Sequence, residues 1–228
     1  MWTVIAFITV TLSCIEMTVR DRGFFAREYS KLGTAQTVGL SEEDLQSVTA
    51  VLLNYLRGTA DSLDIEATIA NERRLVFNER EKTHMIDVRA LYQKGMAVRN
   101  GGLILLLAGA LLFGVLGCRS RSQGARRVLG IAFIRGFWAG CLAVLLLLAV
   151  LGGAVALDFN NFWVTLHKIL FTNDLWLLDP ARDILIQIVP EPFFMDFVAR
   201  IIGEIVLIWG ALFALSLGIW KKKFAHKE

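Results

Sequence analysis

Four long runs of apolar residues alternate with polar segments along the chain. Each run has close to the roughly 20 residues that a helix needs to cross about 30 Å of hydrocarbon. The second run is short for a span, so we expect its helix to begin earlier, near Lys94. The predicted transmembrane helices are residues 1–19, 101–117, 134–157 and 201–220, and the segments between and after them are 20–100, 118–133, 158–200 and 221–228.

The first polar segment shows helical patterns at two places. Apolar residues recur at helical spacing between Ser41, a residue suited to cap a helix N-terminus, and Gly58, a residue suited to end a helix. Helical spacing returns from Glu79 to Tyr92 and leads toward the second span. We expect amphipathic helices in both stretches and irregular structure in residues 20–40, which carry three glycines.

Two stretches favour β-hairpins. The first surrounds the turn-forming pair Asn71-Glu72, and the second has Pro180 at the second turn position, where its fixed φ fits. The predicted strands are 65–69 with 75–77, and 176–178 with 184–189. The predicted fold class is an all-α membrane protein, a four-helix transmembrane bundle with an extracytoplasmic α+β cap of amphipathic helices and small hairpins.

Basic residues set the predicted orientation. Residues 118–135 contain five arginines and no acidic residue, and the tail 221–228 contains four lysines against Glu228. Such segments lie on the cytoplasmic side of a membrane. With four spans, we expect both termini to be cytoplasmic and residues 20–100 and 158–200 to be extracytoplasmic. The first run has no Lys or Arg before it and no small-x-small cleavage site, so we expect it to remain as an anchor helix.

Composition places the chain in the membrane class, because 55% of its residues are hydrophobic and its mean hydropathy is +0.55. The net charge of +3 comes from the predicted cytoplasmic segments, so it does not indicate binding to nucleic acid. Cys14 and Cys141 fall inside predicted spans and Cys118 at an inner end, so no disulfide framework is indicated. The chain has no nucleotide-binding glycine motif.

Two of the three histidines, His84 and His167, fall in the two predicted extracytoplasmic segments, whereas His226 falls in the tail. An imidazole takes and gives protons near neutral pH, so such a pair could serve as base and acid. On a helix, Glu81 and Asp87 share a face with His84, and Asp87 could orient its ring. Alternatively, both histidines are packed residues with local hydrogen bonds.

Other chemistry has weaker support. A carboxylate such as Asp87 or Asp174 could join the histidines in a zinc site, but HExxH or a comparable spacing is absent from the sequence. Haem ligands in bilayer proteins usually lie within spans, whereas these histidines do not. No predicted extracytoplasmic serine or cysteine sits in a nucleophile motif. We therefore predict no metal, and an enzyme of this kind would take its nucleophile from the substrate.

Three stretches carry a family resemblance: FNEREKTHMIDVRALY at Phe77 to Tyr92, LHKILFTNDLWLLDP at Leu166 to Pro180, and PEPFF at Pro190 to Phe194. They resemble the signature stretches of a bacterial four-span family that includes the lipoprotein intramolecular transacylases. The resemblance covers nearly the whole chain. It implies an acyltransferase that moves the sn-2 acyl chain of a diacylglyceryl-cysteine lipoprotein to the α-amine of the same cysteine, giving a lyso-form lipoprotein. The family histidines correspond to His84 and His167.

The resemblance also suggests roles. We expect His84, oriented by Asp87 or Glu81, to take the proton of the attacking ammonium, and His167 to polarise the ester or protonate the leaving oxygen, or the two to exchange roles. Asparagine side chains are candidates to stabilise the oxyanion: Asn78, Asn160, Asn161 and Asn173. Aromatic residues would line the acyl-chain cleft or form an interfacial belt: Phe162, Trp163, Phe171 and Trp176.

The implied partners are a diacylated lipoprotein and membrane lipid, in the cytoplasmic membrane of the bacterial cell envelope, with the active site on the extracytoplasmic face. No cofactor is expected, because conversion of an ester to an amide is downhill. Two alternatives remain open from the sequence. The chain could be a non-enzymatic lipid- or lipoprotein-binding membrane protein, or it could transfer an acyl chain from a phospholipid.

Overall fold

The computed structural model describes residues 2–119 and 122–223. Arg121 of the basic loop and tail residues 224–228, with His226, lie outside the described residues. In chain order the elements are α1 Trp2–Arg20, α2 Arg22–Leu32, α3 Thr34–Val38, α4 Glu42–Arg57, β1 Glu66–Ile69, β2 Glu72–Leu75, α5 Glu79–Arg119, α6 Gln123–Leu157, α7 Phe159–Leu170, α8 Ile184–Ile188 and α9 Glu191–Lys223.

Within the described ranges, four helices are long and apolar enough to cross a membrane: α1, α5, α6 and α9. Together with a single two-stranded sheet in those ranges, they confirm the predicted fold class. Helix α5 begins at Glu79, well before the predicted span, because the polar helix from Glu79 to Tyr92 continues into it without a break. The apolar part of α5 begins at Gly101, so residues 79–100 lie outside the predicted span.

The chain divides into two compact units. The first comprises Met1–Cys14, Val98–Phe159 and Ile201–Glu228. Helix α1 packs closely in this unit, because Thr9 occupies the position that a side chain at Gly102 would need, and Thr3 does the same at Gly140. Small residues allow such close helix approach within a membrane.

The second unit comprises Ile15–Ala97 and Asn160–Arg200 and has its own apolar core. Aromatic rings form the centre of this core. Phe193 stacks on Tyr29 with ring centroids 5.7 Å apart, and it also contacts Phe24 and Phe25 of α2 at 5.7 and 5.4 Å. The PEPFF stretch is thereby fixed to α2 through its first phenylalanine.

The prediction of irregular structure in residues 20–40 is wrong, because this segment forms α2 and α3. Asp21 caps α2 by accepting a hydrogen bond from the backbone N–H of Phe24 at 3.1 Å. The glycines end helices instead of preventing them: Gly33 and Gly39 lie in the left-handed region with φ of 62° and 77°. The predicted helix from Ser41 to Gly58 is confirmed as α4, with both caps in place.

The first predicted hairpin is present, but its turn lies at Ala70 and Asn71, whose φ angles are both positive, and not at Asn71-Glu72. Its second strand runs Glu72–Leu75, earlier than the predicted 75–77. The second predicted hairpin is wrong, because its second strand is replaced by α8. The apolar side chains of α8 explain this difference. Ile184, Leu185 and Ile188 are all buried, and only helical spacing places these three positions on one face.

Candidate active site

The N-terminus of α5 fixes the position of His84. The Asn78 side chain accepts a hydrogen bond from the Glu81 N–H at 3.0 Å, and the Glu81 carboxylate accepts one from the Asn78 N–H at 2.7 Å. This reciprocal pair is a capping box. His84 follows three residues after Glu81, and its side chain is buried.

His167 lies in the last turn of α7 and is also buried. Its Nδ1 atom lies 2.8 Å from the backbone carbonyl oxygen of Trp163, four residues earlier. A carbonyl can only accept a hydrogen bond, so Nδ1 carries the proton and donates it to this oxygen. The lone pair of the neutral ring therefore lies on Nε2, which makes Nε2 the basic atom.

The two histidines face each other, with ring centroids 6.3 Å apart and ring planes tilted by 36°. This arrangement places two imidazoles from separate chain segments in one site. A separation of this size lets one bound group lie within hydrogen-bond reach of both rings.

Aromatic side chains surround the pair. The His167 ring lies 4.2 Å from Trp163, 5.0 Å from Trp176 and 5.6 Å from Phe171, measured between ring centroids. Phe171 also presents its edge to His84 at 5.3 Å. The site therefore has an apolar wall, from which water is largely excluded and against which a hydrocarbon chain can pack.

Burial governs the protonation of both rings. The pKa of His84 is lowered to about 4, chiefly by burial, while His167 and Arg80 act in the same direction and Asp87 in the opposite one. Burial also lowers the pKa of His167, against the effect of its hydrogen bond to Trp163. Both imidazoles are thus neutral at pH 7, the form in which a ring can accept a proton.

His84 also has an unused polar atom. Its Nδ1 is enclosed and has no hydrogen-bond partner among the residues that the structure describes. Leaving a buried polar atom unpaired costs about 1–3 kcal/mol. A substrate group that binds to this nitrogen would recover that energy.

The structure separates the predicted supporting residues into two groups. Asp87 lies at the site, where its Oδ2 accepts a hydrogen bond from Asn173 at 2.9 Å. Glu81 instead accepts the backbone N–H of Leu185 at 2.6 Å, and Asn78 donates to Asp183 at 2.7 Å. Both Glu81 oxygens thus bind backbone N–H groups, and the structure records no hydrogen bond between Glu81 and His84.

The remaining predicted residues lie on α7. Asn160 is exposed and shares the helix face of Trp163 and His167 through three- and four-residue spacings. Asn161 is also exposed, whereas Phe162 is half-buried.

Sequence reasoning missed Phe194 and Arg80. The Phe194 ring lies 4.4 Å from Trp163, while its neighbour Phe193 enters the core. In the sequence, the two adjacent aromatics of the PEPFF stretch give no signal of which one faces a site. Arg80 lies one turn before His84 and donates to the carbonyl oxygen of Asp174 at 2.5 Å.

The described part of the chain contains no group of three His, Cys, Asp or Glu side chains placed to hold a metal ion.

A family model described as lipoprotein intramolecular transacylase Lit matches residues 1–194. No curated protein sequence matches the chain. A solved structure of the membrane integral lipoprotein intramolecular transacylase Lit from Bacillus cereus is similar at a TM-score of 0.76 and 18% sequence identity, covering 97% of this chain and 95% of that one. Two further structures of the Bacillus cereus protein carry a histidine replaced by alanine or by arginine. Both have a TM-score of 0.67 and 19% identity, over 97% of this chain and 93% and 92% of theirs.

Proposed function

The chain belongs to the lipoprotein intramolecular transacylase family, and from this membership we propose that His84 and His167 catalyse its acyl transfer. Membership makes the protein a membrane acyltransferase that acts on lipoproteins. The sn-2 acyl chain of a diacylglyceryl-cysteine moves to the α-amine of the same cysteine. The observation that carries the catalytic assignment is the facing pair of buried, neutral imidazoles.

The reaction needs proton transfers and no covalent enzyme intermediate. The cysteine α-ammonium loses a proton, its nitrogen attacks the sn-2 carbonyl carbon, and a C–N bond forms. The attacking nitrogen then gives up a second proton, the tetrahedral intermediate breaks the C–O bond to glycerol, and the glycerol oxygen takes up one proton, so that one proton is released overall. Because amine and ester belong to one molecule, correct positioning replaces a bimolecular encounter.

The surroundings of the two rings support different roles. His167 has its Nδ1–H fixed on the Trp163 carbonyl, so its Nε2 is suited to remove the ammonium proton and to return one to the glycerol oxygen. His84 has an enclosed Nδ1 without a partner among the described residues, and its pKa is lowered to about 4. A neutral ring of this kind can donate Nδ1–H to the oxyanion. This assignment is the reverse of the one we favoured from the sequence.

The aromatic wall supports the binding of an acyl chain. Trp163, Phe171 and Trp176 lie within 5.6 Å of the His167 ring, measured between centroids. Each buried methylene contributes about 0.8 kcal/mol, so a chain packed on these rings holds the ester beside the imidazoles.

We further infer that the site faces the extracytoplasmic side. The basic loop after α5 and the basic tail favour the cytoplasm, whereas His84 precedes the span of α5. Mature lipoproteins display their lipidated cysteine at the outer leaflet. Labelling of a Thr165→Cys variant in intact cells by a membrane-impermeant maleimide tests this orientation, because Thr165 is exposed on α7.

The test of the reaction uses one reporter lipoprotein in cells that lack N-acylation. Substrate and product are isomers of equal mass, so tandem mass spectrometry must locate the acyl chain on the cysteine nitrogen or on glycerol. We expect the unaltered protein to give N-acyl, S-monoacylglyceryl cysteine, and His84→Ala and His167→Ala to leave the diacylglyceryl form. Thr165→Ala is the matched control on α7 and should retain activity. Normal abundance of all variants is required for the comparison.

A labelled acyl chain separates the intramolecular reaction from transfer out of phospholipid. When only the lipoprotein carries the label, an intramolecular reaction keeps it in the product. Dilution of the label by phospholipid chains would contradict the intramolecular assignment. Full activity of both histidine variants would contradict the assignment of His84 and His167 as catalytic residues.

A further inference from the structure

Asp87 is a half-buried carboxylate beside the two histidines. It lies three residues after His84 on α5, close enough for its charge to act on that ring. Its Oδ2 accepts a hydrogen bond from the side chain of Asn173 at 2.9 Å. The Asn173 carbonyl oxygen in turn accepts the backbone N–H of Leu175 at 3.1 Å, which fixes the orientation of the amide. The carboxylate is therefore held in place by the loop that follows α7.

Asp87 has no ion-pair partner among the residues that the structure describes. Glu79, an acidic residue of the same helix, is in contrast paired with Lys82. Two arginines of the same helix make other contacts: Arg80 donates to the carbonyl oxygen of Asp174, and Arg89 lies over the ring of Tyr55. The two imidazoles are neutral at pH 7. A half-buried carboxylate in this setting attracts a cation from outside the chain.

We propose that Asp87 binds the α-ammonium group of the substrate cysteine and makes the site specific for a free N-terminus. This inference rests on the proposed function, since that reaction is what brings an ammonium group to the histidines. The α-amine of a peptide has a pKa of about 8, so it arrives as a cation at neutral pH. An ion pair with Asp87 holds its nitrogen one helical turn from His84. The product amide is neutral, so this attraction ends when the transfer is complete and the product can leave.

The contacts distinguish this role from orientation of His84, which we expected from the sequence. Asp87 makes its hydrogen bond to Asn173, and the structure records none to either imidazole. Its carboxylate is thus available to a ligand, and the His84 ring is held by its aromatic surroundings.

Binding of two unreactive lipopeptides tests the proposal. Both carry ether-linked chains on glycerol, so neither can be converted, and one has hydrogen in place of the α-amine. Their affinities for the full-length protein in detergent are measured by microscale thermophoresis. A charge-assisted hydrogen bond is worth about 1.5–3 kcal/mol, so we expect the unaltered protein to prefer the amine probe by about tenfold or more.

Asp87→Asn should bind both probes within about twofold of each other, because its amide can still bind Asn173 but has no charge. Asp174→Asn is the matched control, since it removes the same charge from an exposed position nearby and should keep the preference. Should Asp87→Asn melt at a clearly lower temperature, Asp87→Glu takes its place and should retain a preference.

Two results overturn the proposal. One is equal binding of the two probes by the unaltered protein, and the other is an undiminished preference in Asp87→Asn. Either result leaves the transacylase reaction itself intact, because conversion of the ester-linked lipopeptide is measured separately. Absence of that conversion would instead count against the proposed function.

Discussion

The carboxylate of Glu81 accepts a hydrogen bond from the backbone N–H of Leu185, 2.6 Å away and 104 positions later in the chain. Its other oxygen binds the N–H of Asn78. One buried side chain thus joins the start of α5 to α8, and His84 follows three residues after it. The position of a site histidine depends on a residue that does not contact it through a hydrogen bond.

Replacing Glu81 should therefore destabilise the second unit. In Glu81→Gln, one of the two backbone N–H groups would face an NH₂ group instead of an oxygen, and an unpaired buried donor costs about 1–3 kcal/mol. We expect the free energy of unfolding to fall by about this amount in denaturant titrations in detergent. Glu79→Gln is the matched control, because Glu79 is exposed on the same turn. Equal effects of the two substitutions would contradict the structural role of Glu81.

The sequence predicts those helices and strands whose bounds depend on residues close together in the chain. Ser41 and Gly58 bound α4 as expected, because a cap depends on residues within one helical turn. His84 and His167 were singled out because they are the histidines of the two segments predicted to lie on one side of the membrane. The structure brings them within 6.3 Å of each other, measured between ring centroids.

Long-range contacts could not be predicted. The hydrogen bond from Leu185 to Glu81 joins α8 to α5, and no local pattern indicates a partner 104 positions away. Asp183 adds a second contact of this kind by accepting a hydrogen bond from Asn78. The role of Phe194 was missed for the same reason, since its contact with Trp163 joins separate helices.

The adjacent phenylalanines of the PEPFF stretch should respond differently to substitution. Phe193 is 2% exposed and lies in the core, so Phe193→Ala should lower the free energy of unfolding by about 3–5 kcal/mol. Phe194 is half-buried and supports Trp163. We expect Phe194→Ala to cost less stability but to slow acyl transfer about tenfold or more, because a small displacement of reacting groups is costly. Unfolding and transfer are measured on the same two preparations. Full activity of Phe194→Ala would show that Phe194 does not contribute to acyl transfer.

Acid should destabilise the protein through His84. The pKa of this ring is about 4 in the folded protein, below its ordinary value of 6.5. As pH falls below 6.5, the unfolded chain binds a proton that the folded chain does not, so stability present above pH 6.5 is lost toward pH 4. The full difference corresponds to about 3 kcal/mol.

A His84→Gln variant isolates this effect from other titrating groups. Its free energy of unfolding should fall less than that of the unaltered protein between pH 6.5 and 4, and the two should run parallel above pH 6.5. Unfolding at a series of pH values measures both curves. Parallel curves throughout the range would show that the His84 pKa is not depressed.

The role of His167 can be separated from its hydrogen bond to Trp163. An asparagine side chain places its NH₂ group close to where the histidine Nδ1–H lies, so His167→Asn can still donate to the Trp163 carbonyl. It has no basic nitrogen, however. We expect His167→Asn to unfold at a higher temperature than His167→Ala, because a hydrogen bond of this kind contributes about 1 kcal/mol. Acyl transfer should nevertheless be lost in both variants, to within the background of the His84→Ala protein. If His167 had only a structural role, His167→Asn would restore both the hydrogen bond to Trp163 and acyl transfer. Activity of His167→Asn would therefore show that another residue is the base.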